Sequence, residues 1–271
     1  MRYLLLTFLL VITISVQGQD LIIGSWNIQN LGKTKDDAEI ERMANLLRDL
    51  DIVAIQEVVA VDPAGAKAVA RLADELNRKG ARWDYRVSDP TNSSSGKKER
   101  YAFLWKTNKV KLMGRPWLDK TFDDIIIREP YLGRFQFGDD NILLVNYHSR
   151  VHKEQPEKEI VCFYEYPKMF ENEAIVIAGD FNKYVSDEVF QPLRAMGFQP
   201  NLEGQKTTLK RKCGRKREYL KHPIDYILVD TTVLEIETAG AIDHVGDCSQ
   251  IKKARALSDH LAGWVMVNWK E

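Results

Sequence analysis

The chain is poor in cysteine, with three in 271 residues. That count excludes a disulfide-stapled scaffold, so stability must come mainly from a packed core. Net charge is absent as well, since 39 basic residues balance 39 acidic ones. Overall charge therefore selects no partner, and only local clusters can. No Pro/Gly/Ser-rich linker and no repeat divides the sequence, which argues for one large domain. Long hydrophobic runs are missing, with one exception. Residues 4–16 form a short apolar run preceded by Arg2 and followed by Gln17-Gly18-Gln19. The run is too short to cross a bilayer comfortably. It reads as a secretory signal peptide over residues 1–18, with a domain over 19–271. The expectation is a secreted monomer, extracellular or periplasmic, with no stable membrane association.

What the chain does have is a series of apolar strands. The segments 21–27, 52–57, 101–105, 132–137, 141–148, 174–179, 224–229 and 261–267 all read as strands. Helical spacing appears at Ile40, Met43, Leu46, Leu47 and Leu50, and a second helix is predicted over 63–77. A third is predicted over 157–170, with Pro167 marking a kink or an early end. Several strands are apolar throughout, so both of their faces must be covered. This pattern predicts an α/β sandwich of two packed sheets with helices outside, rather than a single wound sheet.

Polar groups cluster where these strands end. Gly179-Asp180-Phe181-Asn182 follows the run Ala174-Ile175-Val176-Ile177-Ala178. Alternation along an extended backbone puts Asp180 and Asn182 on one face. Asn27, Glu57 and His148 end three other strands, Asp225 begins one, and Asp259-His260 precedes the last. Taken singly, each has a bland reading as a solvated end, a cap or a core histidine. Together, carboxylates, carboxamides and imidazoles at converging strand ends suit phosphodiester hydrolysis. Oxygen donors without a Cys cluster favour a hard, hydrated cation such as Mg²⁺ or Mn²⁺, with Ca²⁺ a further candidate. Such an ion neutralises a phosphate oxygen and orients water. Imidazoles supply acid–base help.

In this order the segments Ser25-Trp26-Asn27-Ile28-Gln29, Ile55-Gln56-Glu57, Gly179-Asp180-Phe181-Asn182, Ile224-Asp225-Tyr226 and Ser258-Asp259-His260 resemble the endonuclease/exonuclease/phosphatase superfamily. Lys98-Glu99-Arg100-Tyr101 and Arg128-Glu129-Pro130 are similar to segments of its deoxyribonuclease I-like branch. The resemblance implies a four-layer αββα sandwich of two mainly antiparallel sheets. It implies a metal held by Asn27, Glu57 and Asp259. Asp180 and Asn182 would position the phosphate and the attacking water. His148 would pair with Glu99 and His260 with Asp225, with the acid and base roles left open. Arg128 would grip a substrate phosphate. The implied activity is hydrolysis of DNA, or alternatively RNA, to 5′-phosphate products. A sphingomyelinase-type phospholipid phosphodiesterase and a non-catalytic nucleic-acid-binding protein are the rivals. The Arg128-Glu129-Pro130 match and the full set of catalytic groups weigh against them.

Two departures from the branch stand out. Lys183-Tyr184 follows Asn182 where the branch usually has a Cys, so its usual disulfide cannot form here. Lys97 stands where a Tyr is common, which removes one expected contact to a sugar. Between Lys206 and Lys221 lie eight Lys or Arg residues and one acid, Glu218. This run leads into Asp225, and Lys210, Arg211 and Lys212 are candidate contacts to nucleic-acid backbone. A plain solvated loop is the other reading. Cys162 sits among apolar neighbours and reads as a buried free thiol. Cys213 and Cys248 lie in loops flanking the site, where an oxidising compartment would allow a disulfide between them; two free thiols are the alternative.

Overall fold

The computed structural model describes residues 20–61, 63–93, 98–216 and 218–270. The expected signal segment lies outside the described residues, as do Lys97 and Arg217. The chain begins with β1 (Leu21–Leu31), α1 (Asp37–Leu47), β2 (Ile52–Val59), α2 (Ala64–Asn77), β3 (Trp83–Val87) and β4 (Glu99–Lys106). It continues through β5 (Val110–Leu118), β6 (Tyr131–Phe137), β7 (Asp140–His148), α3 (Glu157–Ile160), α4 (Tyr166–Met169) and β8 (Ala174–Asp180). It ends with α5 (Gln191–Ala195), β9 (Phe198–Pro200), β10 (Asp225–Asp230), β11 (Leu234–Ile242), α6 (Ile251–Leu257) and β12 (Ala262–Trp269).

Two six-stranded sheets face each other. One has the order β11-β12-β1-β2-β4-β3 and the other β5-β6-β7-β8-β10-β9. Each is antiparallel except for one parallel pair, β1 with β2 and β7 with β8. Leu21, Ile23, Phe103, Phe135, Leu144, Val176 and Val265 interlock between the sheets. Helices α1 and α2 cover the outer face of the first sheet. The segment around Phe163, Tyr166 and Phe190 covers the second. This is the predicted αββα sandwich.

Local chemistry accounts for the elements that frame the site. Asp36 caps α1 by accepting from the Glu39 N–H at 2.7 Å, and Glu39 accepts from the Asp36 N–H at 3.1 Å. This capping box fixes where the helix begins. Every residue of β8 is buried, as an all-apolar central strand requires. At Gly179 a Cβ would lie 1.7 Å from the Tyr147 carbonyl oxygen. Only glycine lets β8 approach β7 closely enough there to deliver Asp180.

The helix predicted over 157–170 is broken into α3, a 3₁₀ segment over Val161–Glu165, and α4. Pro167 lies in the first turn of α4, where its missing N–H costs nothing. Strands β3, β5, β9 and β11 lie at or next to sheet edges and escaped the sequence reading. Their outward residues are exposed, so the apolar signal is diluted. Pro116 falls in β5 beside a register shift between Met113 and Trp117, a placement an edge strand tolerates.

Candidate active site

Strand ends from both sheets meet at one edge of the sandwich. Asp180 is the centre, 2% exposed. Its Oδ1 accepts from the Asn182 N–H at 2.9 Å, and its Oδ2 accepts from Asn27 Nδ2 at 3.1 Å. His148 Nε2 lies 3.6 Å from Asp180 Oδ2, and His260 Nε2 lies 3.9 Å from it. Behind each ring stands the expected carboxylate. His148 Nδ1 is 2.9 and 3.0 Å from the two oxygens of Glu99. His260 Nδ1 is 2.9 and 3.0 Å from those of Asp225. With Nδ1 committed to a carboxylate, each ring turns Nε2 toward the centre.

Electrostatics follow from burial and neighbours. Burial is the largest influence on His148 and opposes its charge, yet the charge and hydrogen bond of Glu99 together with Asp180 raise the pKa overall. Burial also opposes charge on His260, where Asp225 and then Asp180 push the pKa up to about 10. Asp180 is raised by burial and by the nearby Asp225 charge, against the pull of both imidazoles.

Arg128 is 7% exposed and backs the first pair. Its Nε lies 3.2 Å from Glu99 Oε2, and its Nη1 donates to the Ser149 and His148 carbonyls at 2.6 and 3.3 Å. Nη2 makes no hydrogen bond with described residues, and Arg128 lines the cleft beside His148. The guanidinium is thus both a brace and an available phosphate donor. The side chain of Asn182 makes one long contact, 3.5 Å from Nδ2 to the Ser149 carbonyl.

The expected metal set is brought together in part. Asn27 Nδ2 also reaches Glu57 Oε1 at 3.1 Å. The Asp259 carboxylate is engaged by Gln29 at 3.2 Å and by Arg255 at 3.4 Å. Among the described residues, Asp180, Asp225 and His260 also offer ligand-type atoms that lie within 4.8 Å of one another. Asn27 Oδ1 is buried without a hydrogen-bond partner. An orphaned amide oxygen amid carboxylates suits a hard divalent cation. Glu57 has φ 58°, a left-handed conformation that costs a non-glycine residue roughly 1–3 kcal/mol. The strand irregularity between Ile55 and Val58 holds it there. Asn30 and Asn182 share this region, which asparagine tolerates better.

The basic loop is rooted in the site, although its cations do not line the cleft. Leu209 N donates to the Asp259 carbonyl and Leu261 N to the Thr207 carbonyl, both at 2.7 Å. Lys210 is spent on Glu218 at 3.2 Å, while Arg211 and Lys212 are exposed. Cys213 and Cys248 form the disulfide, tying the loop to the turn before α6. Cys162 is a buried free thiol, pushed up to about 11 by burial.

Several supporting residues were assigned no role from the sequence. Thr207 Oγ1 donates to Asp225 Oδ2. Gln56 and Asn146 join the two sheets beneath the site at 2.7 Å. Lys35 Nζ donates to the Ala256 and Leu257 carbonyls at 2.8 Å each, just ahead of Ser258-Asp259-His260.

Residues 24–260 match the endonuclease/exonuclease/phosphatase family model. A deoxyribonuclease of Thioalkalivibrio sp. (strain K90mix) is 30% identical, over 95% of this chain and 74% of its own length. Deoxyribonuclease-1 of Oryctolagus cuniculus is 28% identical, over 72% of this chain and 73% of its own. An endonuclease/exonuclease/phosphatase family protein of Bacteroides thetaiotaomicron superposes with a TM-score of 0.70 at 18% identity, over 94% of this chain and all of that one. Its likeness shows the fold. The chain therefore belongs to the endonuclease/exonuclease/phosphatase family, in its deoxyribonuclease I-like branch, and is a hydrolytic phosphodiesterase.

Proposed function

We propose that this protein is a secreted, divalent-metal-dependent endonuclease that hydrolyses DNA to 5′-phosphate products. The observation that carries the reading is the pair of imidazoles aimed at Asp180, each backed by its own carboxylate. The deoxyribonuclease relatives support DNA as the substrate. The apolar run at residues 4–16 supports secretion.

Asp180, held by Asn27 and the Asn182 N–H, is placed to orient water and take its proton. His148 and His260 hold Nε2 protons toward the phosphate, where they stabilise the charge that develops and donate to the leaving oxygen. Arg128 Nη2 binds a non-bridging phosphate oxygen. Arg211 and Lys212 meet the flanking backbone, with Lys210 once it is released from Glu218. Asn27, Glu57 and Asp259 would hold Mg²⁺ or Mn²⁺. When bound, that ion would supply Lewis-acid stabilisation of the phosphate oxygens.

The test is purified protein on supercoiled plasmid, RNA and sphingomyelin vesicles, after chelation and after adding back Mg²⁺, Mn²⁺ or Ca²⁺. Metal-dependent plasmid nicking is expected. Full activity after exhaustive chelation would remove the metal from the reading. Turnover of sphingomyelin without nucleic-acid cleavage would replace DNA as the substrate.

A further inference from the structure

A second hollow lies beside the catalytic cleft. The cleft next to His148 and Arg128 encloses about 660 Å³. A second groove of about 800 Å³ adjoins it, and Pro90 and Lys98 line both. The second groove runs between the strand end at Arg86 and the edge strand at Arg115.

The walls of this groove are basic. Arg86, Lys98, Arg115 and Lys120 line it, against two acids, Asp89 and Glu129. Glu129 is 1% exposed and already accepts from the Asn92 N–H at 2.7 Å, so it offers the groove little free charge. Arg86 leans on Asp84 at 3.5 Å and on the Tyr85 carbonyl at 2.8 Å. The side chains of Lys98, Arg115 and Lys120 are exposed and make no ion pair with described residues. Arg86 and Arg115 both act on the same group, Tyr131. Burial pushes the Tyr131 hydroxyl up to about 12, and the two guanidinium charges pull it the other way. Four cations face one lining carboxylate that is not already engaged, Asp89, so they repel on balance, and an anion placed among them relieves that repulsion. Surface salt bridging does not account for them, because the nearby acids are engaged elsewhere or outnumbered.

We infer that this groove carries the sugar–phosphate backbone of the nucleic acid beyond the scissile bond. Continuity with the cleft supports that occupant: a strand lying across His148 and Arg128 leads past Lys98 directly into the groove. Backbone phosphates recur along the strand, and the cations are spread along the groove rather than gathered at one point. Such contacts position the strand without reading its sequence. This inference rests on the nuclease reading above.

The experiment compares wild type with Arg115→Gln/Lys120→Gln, two exposed positions outside the cleft. Hydrolysis of long duplex DNA and of bis(4-nitrophenyl) phosphate, a diester with no backbone to extend, is followed across a salt series. In the double variant, log(kcat/KM) on long DNA should depend less steeply on log salt. The expected change is about 1 to 2 units, at ~0.9 per phosphate contact. Turnover of the small diester should be unchanged. An unchanged salt slope on DNA would overturn the groove as a backbone track, as would an equal loss on both substrates. Inorganic phosphate distinguishes a single-anion pocket: inhibition weakened in the variant, with no change on long DNA, would also overturn it. If wild type hydrolyses the small diester but no nucleic acid, the nuclease reading itself fails, and the inference falls with it.

Discussion

The Glu99–His148 and Asp225–His260 pairs share their spacing, 2.9 and 3.0 Å, but not their surroundings. The first stands on the terminal residues of β4 and β7, with Arg128 against the carboxylate and the Tyr101 hydroxyl accepting from the His148 N–H at 3.2 Å. The second stands where a loop enters β10 and another enters β12, with Thr207 behind Asp225 and no cation beside it. Arg128 draws on the charge of Glu99 and opposes the imidazolium of His148. Nothing comparable restrains His260, which is held more strongly in its charged form. Two copies of one local motif thus meet unequal surroundings, a buried guanidinium beside one and the further carboxylate of Asp259 near the other. Covalent bracing differs too. The rigid pair needs none, while the loop-borne pair is tied by the Cys213–Cys248 bond.

The comparison breaks most directly at the rings. His148→Ala and His260→Ala should each lower kcat by at least ~10²-fold, the lower range for general acid–base groups. Steady-state turnover on plasmid measures this. Near-native kcat in one variant would remove that pair from the chemistry and leave the other to act alone.

Thr207→Val tests the softer pair through its support. The side chain keeps its shape and loses its donor to Asp225. A hydrogen bond to a charged group is worth roughly 1.5–3 kcal/mol, so kcat should fall about 10-fold with KM unchanged, and Thr207→Ser should restore it. A rise in KM with steady kcat would mean that Thr207 serves the basic loop instead.

Replacing Lys210, Arg211 and Lys212 with Gln should weaken duplex binding and flatten its salt slope by about 2 units, at ~0.9 per phosphate contact. Lys210 contributes less while it is paired with Glu218. Turnover at saturating DNA should survive. Binding isotherms across a salt series decide it, and an unaltered slope would make the loop a solvated face.

The smallest effect concerns acid. His244 packs on Trp26 with ring centroids 5.5 Å apart, and the Trp26 indole donates to the His260 carbonyl at 2.8 Å. Burial lowers the His244 pKa, opposed by Asp243 and reinforced by Arg42 across from α1. Its folded pKa therefore lies below the unfolded value near ~6.5. The neutral ring stabilises the fold fully above that value, and the contribution is lost as pH falls through the folded pKa. His244→Phe should flatten the acid limb of Tm against pH. An identical limb in both proteins would place the acid sensitivity elsewhere.

Much of the candidate site was legible because its groups border apolar runs, at their ends or at their starts, and such runs are local signals. Asn27, Asp180 and His148 could be placed as the ends of apolar runs, whereas Glu57 and Asn182 take left-handed backbone conformations, so the alternation expected from Asp180 to Asn182 does not carry through. The His–carboxylate pairings needed the resemblance, because Glu99 and His148 approach only through sheet packing. Thr207 and Lys35 act through contacts between distant segments, which no local pattern encodes. The edge strands were hidden because their exposed residues carry no apolar alternation. The engagement of Asp259 by Gln29 and Arg255 was equally invisible, since it depends on how α6 meets the end of β1.

Strand β1 lies between β2 and β12, with Leu21 opposite Val267. Asn27 therefore comes from the first described strand, while Asp259 and His260 come from the turn that opens the last. A ribosome must release the chain through His260 before these groups can meet. Pairing across so long a loop is slow, and it follows local structure in time. A partly synthesised chain holds Glu57, Glu99, His148 and Asp180 with no second imidazole to complete them. The site is therefore assembled by long-range contacts, such as the Ser258 Oγ bond to the Asn27 carbonyl, and a chain that stops short of His260 lacks its second imidazole.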